Sequence, residues 1–201
     1  AAIAFDIIFA EPDRMSPAVA AQSFRNLDPQ ARDQLQRMPS NDEIFARAIR
    51  QSQRVILGES GFHMPSTSAA PQPPAVGVAV IGPDPDRYIM TFPGLVRNLP
   101  ELEQAAAGRG MLTIRAEPDG IVRKVPMVTK AQGTVVPALT LEMLRVVTGA
   151  KAMMIKDDAA GIRSVAIPGR EIPTDRNGQL WIHFSHYEPA RYVAAKNVLE
   201  G

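Results

Sequence analysis

The 201-residue chain has no cysteine. That excludes disulfides, thiolate metal sites and a thiol nucleophile within it, and leaves the redox compartment open. Charge of one sign is also missing: 22 Lys and Arg stand against 21 Asp and Glu, a formal net charge of +1. No field therefore draws nucleic acid or an anionic membrane surface, and no nucleic-acid partner is expected. No apolar run approaches the roughly 18 to 20 residues of a membrane span. No charged region followed by a signal core opens the chain. Histidine is scarce, at three residues. His183 and His186 are three apart and on a strand point to opposite faces, so with His63 they lack zinc spacing. No Gly-rich phosphate loop is present. His183, Ser185 and Asp175 have no Gly-x-Ser-x-Gly elbow to make a hydrolytic triad of them. The nine methionines are scattered and read as core filling. No cofactor, metal ligand or catalytic residue is expected.

What is present is a hydrophobic content of 45% over 201 residues, enough for one substantial core and a single domain spanning 1–201. Proline is abundant, 18 of 201, about twice the usual ~5%. Pro65, Pro71, Pro73 and Pro74 cluster with Ser66, Thr67 and Ser68, predicting a loop around 64–76. Ala2 to Phe9 is a near-continuous apolar run that predicts a strand covered on both faces. Residue 1 already lies inside that pattern, and Val198-Leu199-Glu200-Gly201 stops abruptly, so the chain is expected to be a piece trimmed from a longer protein.

Asp28-Pro29 supplies an N-cap and N1 proline for a helix through Arg37. Ser40 or Asn41 caps the next, with Ile44, Phe45, Ala48 and Ile49 on one face. Val55-Ile56-Leu57-Gly58 reads as a second buried strand, parallel to the first across a right-handed β-α-β crossover. Gly77 to Ile81 predicts a short strand and Leu99 to Ala107 a short helix. Pro137 to Val147, closed by Gly149, predicts an amphipathic helix with Glu142 and Arg145 on its exposed face or edge. Three hairpins are expected: Met111–Arg115 with Ile121–Val125 across Asp119-Gly120, Met153–Ile155 with Ile162–Ile167, and Glu171–Pro173 with Leu180–Phe184 across Asn177-Gly178. The fold class is α/β in the broad sense, a mixed α+β domain. Its mixed sheet has a parallel start and antiparallel hairpins, with helices packed on it.

Asp6, Glu11 and Asp13 lie in and just after the first strand, where open α/β sheets hold ligands. They could bind a cation or polar ligand, or serve a small metal-dependent hydrolase. The structural alternative is that Asp6 is a satisfied buried acid, with Arg14 at hand, and the other two are solvated.

Several segments, taken in order, resemble one family: Ala4-Phe5-Asp6-Ile7-Ile8-Phe9-x-Glu11-Pro12-Asp13, Phe92-Pro93-Gly94 with Asn98-Leu99-Pro100, Asp119-Gly120-x-x-Arg123-x-x-Pro126, Pro137-Ala138-Leu139-x-Leu141-Glu142, and Ile172-Pro173-Thr174-Asp175 with Gly178. The family is the type 2 CHASE domains, sensory extracellular domains associated with cyclases and histidine kinases. The resemblance implies a module outside the bacterial cytoplasmic membrane, a parent with membrane helices, and a cyclase or kinase output beyond these residues. It implies as partners a small ligand or periplasmic signal and allows a homodimer. A protein-interaction or spacer domain without a small ligand is the other alternative. Phe184-Ser185-His186 departs from the family's Tyr-Gly turn. By position, Asp6, Glu11, Asp13, Arg123 and Glu142 are the ligand-binding candidates.

Overall fold

The computed structural model describes residues 1–65 and 76–200; most of the proline-rich loop expected at 64–76 lies outside them. The first sheet is built around β2 (Val55–Phe62). On one side it pairs in parallel with β1 (Ile3–Phe5), Ile3 opposite Val55 and Phe5 opposite Leu57. The connection carries three helices, α1 (Pro17–Ser23), α2 (Pro29–Arg37) and α3 (Asn41–Ser52), so the expected β-α-β start is present. α2 is capped by Asp28, which accepts from the Gln30 and Ala31 amides, and α3 by a Ser40–Glu43 capping box.

The apolar run at the start is not one strand. β1 ends at Phe5, and Ile3 and Ile7 are each more than half exposed. The chain turns at Asp6 because Phe9 returns to meet Phe5 and Phe45. The three rings pack edge to face at centroid distances of 5.3 to 5.7 Å, an arrangement favoured by the ring quadrupole. α3 is likewise rotated from the expected face: Ala46 and Ile49 are buried with Phe45 against them, while Ile44 is exposed. Contact with Leu57, Leu102 and Ala105 sets that rotation.

Next come β3 (Gly77–Ile81), a short 3-10 turn at Pro85–Arg87, β4 (Met90–Phe92), β5 (Gly94–Val96), α4 (Pro100–Ala105) and β6 (Gly108–Met111). β5 pairs antiparallel with the distal half of β2, and β6 pairs with β2 in parallel. β7 (Lys124–Pro126), β8 (Val128–Ala131), β9 (Thr134–Pro137), α5 (Leu139–Thr148), β10 (Ala152–Asp158), β11 (Gly161–Ile167), β12 (Arg170–Pro173) and β13 (Gln179–Trp181) complete the sheets, followed by the exposed α6 (Ala195–Glu200). A second sheet has the order β12-β11-β10-β3, with β3 parallel to β10. A third has the order β4-β8-β9, and β7 pairs with β13 alone.

α5 lies between the first two sheets. Toward the first, Gly108 and Gly110 of β6 face it, and the close fit explains the glycines: a Cβ on Gly110 would stand 2.5 Å from the Leu139 Cα. Toward the second, Ala138 and Leu141 join Met153, Ile155, Ile162, Val165 and Ile167 in the largest core cluster. A helix with sheet on two sides has little exposed face. Glu142 and Arg145, expected at the surface, are accordingly buried at 1% and 9% exposure.

Of the expected hairpins, β10–β11 forms as read. At the other two the turns form but the flanking strands pair elsewhere. Gly120 takes φ +80 and Gly178 φ +70, yet β6 pairs with β2, β7 with β13, and β12 with β11. A local turn sets chain direction. Which strand is bonded follows from side-chain burial across the sheet.

Candidate functional site

In the first sheet, Val55, Leu57 and Glu59 alternate toward the α3/α4 side, and the carboxyl end of β2 is where a ligand crevice would open. Here the chain's own polar groups lie against Gly58 and Glu59, in the middle of β2. Asn98, 5% exposed, donates from Nδ2 to the Gly58 carbonyl at 2.8 Å and accepts on Oδ1 from the Phe9 amide at 2.8 Å. It thereby fastens the segment after β1 to the middle of β2. Its own amide donates to Glu103 Oε1 at 3.2 Å, and the Leu99 amide donates to the Phe9 carbonyl at 2.8 Å.

Glu103, projecting from α4 and buried, joins two arginines. Arg97 donates through Nε to its Oε1 at 3.2 Å and through Nη2 to its Oε2. Arg109 of β6 donates through Nη1 to Oε2 at 2.9 Å. The arginine side chains are 14% and 12% exposed and that of Glu103 2%. Glu59 of β2 is 3% exposed, and its Oε2 has no hydrogen-bond partner among the described residues. Burial pushes its carboxyl above the usual glutamate range. The Arg109 and Arg97 charges pull it back, and Glu103 and Glu142 push it further up.

On the other side of β6, Glu142 and Arg145 form a buried two-point pair, Nε to Oε2 at 2.8 Å and Nη2 to Oε1 at 2.6 Å. Arg145 also donates to the Ala150 and Ala107 carbonyls. Gly108 admits this pair, because a Cβ there would lie 2.1 Å from Glu142 Oε1.

The five sequence-derived candidates do not converge. Asp6 is exposed just past β1. Glu11 pairs with Arg14 at 2.9 Å on the surface, so Arg14 serves Glu11 rather than Asp6. Asp13 accepts from Asn41 Nδ2 at 2.7 Å and from the Met15 amide at 2.8 Å, and its own amide donates to Asp42 Oδ2. It ties the loop to the start of α3, and the Asn41 bond, with the Met15 amide second, holds its carboxyl below the usual range. Arg123 bridges Glu117 and Asp119 within its own turn, and Glu142 sits under β6. Among the described residues no group of three His, Asp or Glu side chains is placed to hold a metal ion. Of the imagined triad, Asp175 is engaged by Lys124 and by the Asn177 and Gln179 amides.

Sequence reasoning missed Glu59, Arg97, Asn98, Glu103 and Arg109. Charges beside apolar residues at Glu59, Glu103 and Arg109, and Asn98 in the Asn98-Leu99-Pro100 motif, were the available signals; nothing local marked Arg97. A second concavity, about 510 Å3, lies on the outer face of the second sheet. Ala79, Met154, Ala166 and Glu171 stand opposite one another across its floor. Lys156 pairs with Glu171 at its edge.

Asn98→Ala should cost about 1–3 kcal/mol, because it leaves the Gly58 carbonyl without its donor and the Phe9 amide without its acceptor. Denaturant titration reads the loss, and faster hydrogen exchange at the Phe9 amide locates it.

Fold and network together define a mixed α+β domain with a buried ionic network beside the middle of its central strand. Residues 1–200 match the CHASE2 domain family, and the chain belongs to it. CHASE2 domains are extracytoplasmic sensory domains, themselves non-catalytic. No curated protein and no solved structure matches the chain. Among the described residues no helix is long and apolar enough to cross a membrane.

Proposed function

We propose that this chain is the signal-input module of a bacterial transmembrane receptor whose output is an adenylate or guanylate cyclase or a histidine kinase elsewhere in the parent protein. Family membership across residues 1–200 carries this reading. A sensor signals only when its input binds two conformations with different affinity. The Asn98 clamp is an element such an input would bias, since it joins the loop after β1 to β2. Of the proposed contacts, Asp6 is exposed to a ligand, whereas Glu11 would have to exchange Arg14, and Arg123 its Glu117 and Asp119 partners, to engage one. Asp13 and Glu142 act through the positions they hold. The concavity on the second sheet supports a second reading in which a small, largely apolar ligand binds there, its volume lying within the usual range of roughly 300–1,000 Å3.

A thermal-shift screen of the chain against metal ions, nucleotides and small metabolites at fixed pH tests both. A ligand at 100 times its dissociation constant adds about 2.7 kcal/mol, or roughly 5–10 °C at ~2–4 °C per kcal/mol for a chain of this size. A hit lost in Asp6→Asn places the ligand at the first loop. One lost in Met154→Trp, which fills the concavity, places it on the second sheet. No hit at all would sink the small-ligand reading and favour a spacer or protein-interaction role.

A further inference from the structure

Among the described residues, Glu59 is the member of the network that keeps an unpartnered carboxyl oxygen. It sits on the central strand of the first sheet with 3% exposure, and its Oε2 lacks a hydrogen-bond partner among the described residues. A buried carboxylate in that position is stable either when protonated or when a cation turns to it. The charges that act on it come from four elements: Arg109 from β6, Glu103 from α4, Arg97 from the segment after β5 and, from the other side of β6, Glu142 from α5. Glu142 is matched by Arg145. Arg97 and Arg109 both bond Glu103. With Glu59 protonated, the Arg97–Glu103–Arg109 group carries one net positive charge. With Glu59 ionised the charge closes to zero, but two carboxylates then contest the same guanidinium groups.

We propose that Glu59 is a proton-binding site through which this module reads pH: proton-bound, it leaves both arginines to Glu103, and proton-free, it draws Arg109 from Glu103 and slackens the Asn98 clamp on the loop after β1. The link runs through named bonds. Glu103 accepts from the Asn98 amide, and Asn98 holds Gly58, next to Glu59 on β2, and Phe9. The proton is thus an input in its own right. The inference rests on the sensory reading only for its purpose, since proton binding is read on the isolated chain without any receptor output.

Because burial raises the folded-state value for Glu59, the folded chain keeps this proton at pH values where the unfolded chain has released it. Its contribution to stability is therefore complete below the ordinary glutamate range and is lost as pH rises through the raised folded value. Asp13, Asp119 and Glu171 are shifted the opposite way by their hydrogen-bond partners, so their contributions fade on acidification and occupy a different window.

The test is a carbon-detected NMR titration of the glutamate carboxyls together with the Asn98 side-chain amide and Phe9 amide signals, in the wild-type chain and in Glu59→Gln. The expected result is a Glu59 midpoint above the ordinary glutamate range, with the Asn98 and Phe9 signals moving at the same midpoint. In Glu59→Gln those movements disappear, and stability no longer falls with rising pH across that window. Titration of Glu59 in the ordinary range overturns the proposal. So does an Asn98 signal that ignores pH in the wild type, or one that moves identically in Glu59→Gln. Should Glu59→Gln fail to fold, the wild-type midpoints decide, because both groups are observed there.

Discussion

Arg145→Met should be among the most destabilising single changes in this protein, at about 3–5 kcal/mol, a fall in melting temperature on the order of 10 °C for a chain of this length. The reason is what it leaves behind. Glu142 is 1% exposed and has both carboxyl oxygens engaged by Arg145. Without that partner a charge stays buried, or the carboxyl takes up a proton. The Ala150 and Ala107 carbonyls lose their guanidinium donor as well. The double change Glu142→Leu with Arg145→Met separates these contributions. Removing both charges of a buried pair is often near neutral, so the double variant should regain most of the loss, short of the part owed to the two carbonyls. A single variant within about 1 kcal/mol of wild type would show that water reaches this pair.

Glu103→Gln has the second large effect and a different signature. Arg97 and Arg109 would lose the carboxylate they share, again a loss of about 3–5 kcal/mol where a buried charge is left uncompensated. Glu59 stands within the field of both arginines, so it should ionise to replace the missing charge. Removal of Glu103 also removes a negative neighbour that pushes the Glu59 carboxyl up. Both changes lower the pH at which Glu59 releases its proton. The expected outcome is a variant least stable in acid, where Glu59 is protonated and both arginines have lost the Glu103 carboxylate, and partly restored above the lowered Glu59 midpoint. Thermal melts from acid to neutral pH would show it. A loss that is uniform with pH would mean that Glu59 does not couple to these arginines.

Much of the architecture was legible because it rests on local chemistry. Asp28-Pro29 marked α2, a cap at Ser40 or Asn41 marked α3, Gly149 at φ +69 closed α5, and the apolar run Val55-Ile56-Leu57-Gly58 marked β2. The ordered motifs pointed to the family that residues 1–200 match. The candidate site was far less legible. Asp6, Glu11 and Asp13 are adjacent in sequence, yet Asp13 turns to Asn41 and Glu11 to Arg14. The charges that do converge are spread from Glu59 to Arg145 and are joined by strand pairing and helix packing.

The amino-acid sequence by itself determined where helices start, where turns bend and which family the chain resembles, since caps, positive-φ glycines and apolar spacing act within a few residues. Tertiary structure alone decided which strands pair beside the Asp-Gly and Asn-Gly turns, and that α5 is covered on both sides. It also decided that Glu59, Asn98 and Glu103 with their arginines gather beside the middle of β2. Each of these depends on burial between segments far apart in the chain. A charged side chain looks the same in sequence whether water or a second sheet lies against it, and only the packed structure distinguishes Glu142 in the interior from Glu11 at the surface.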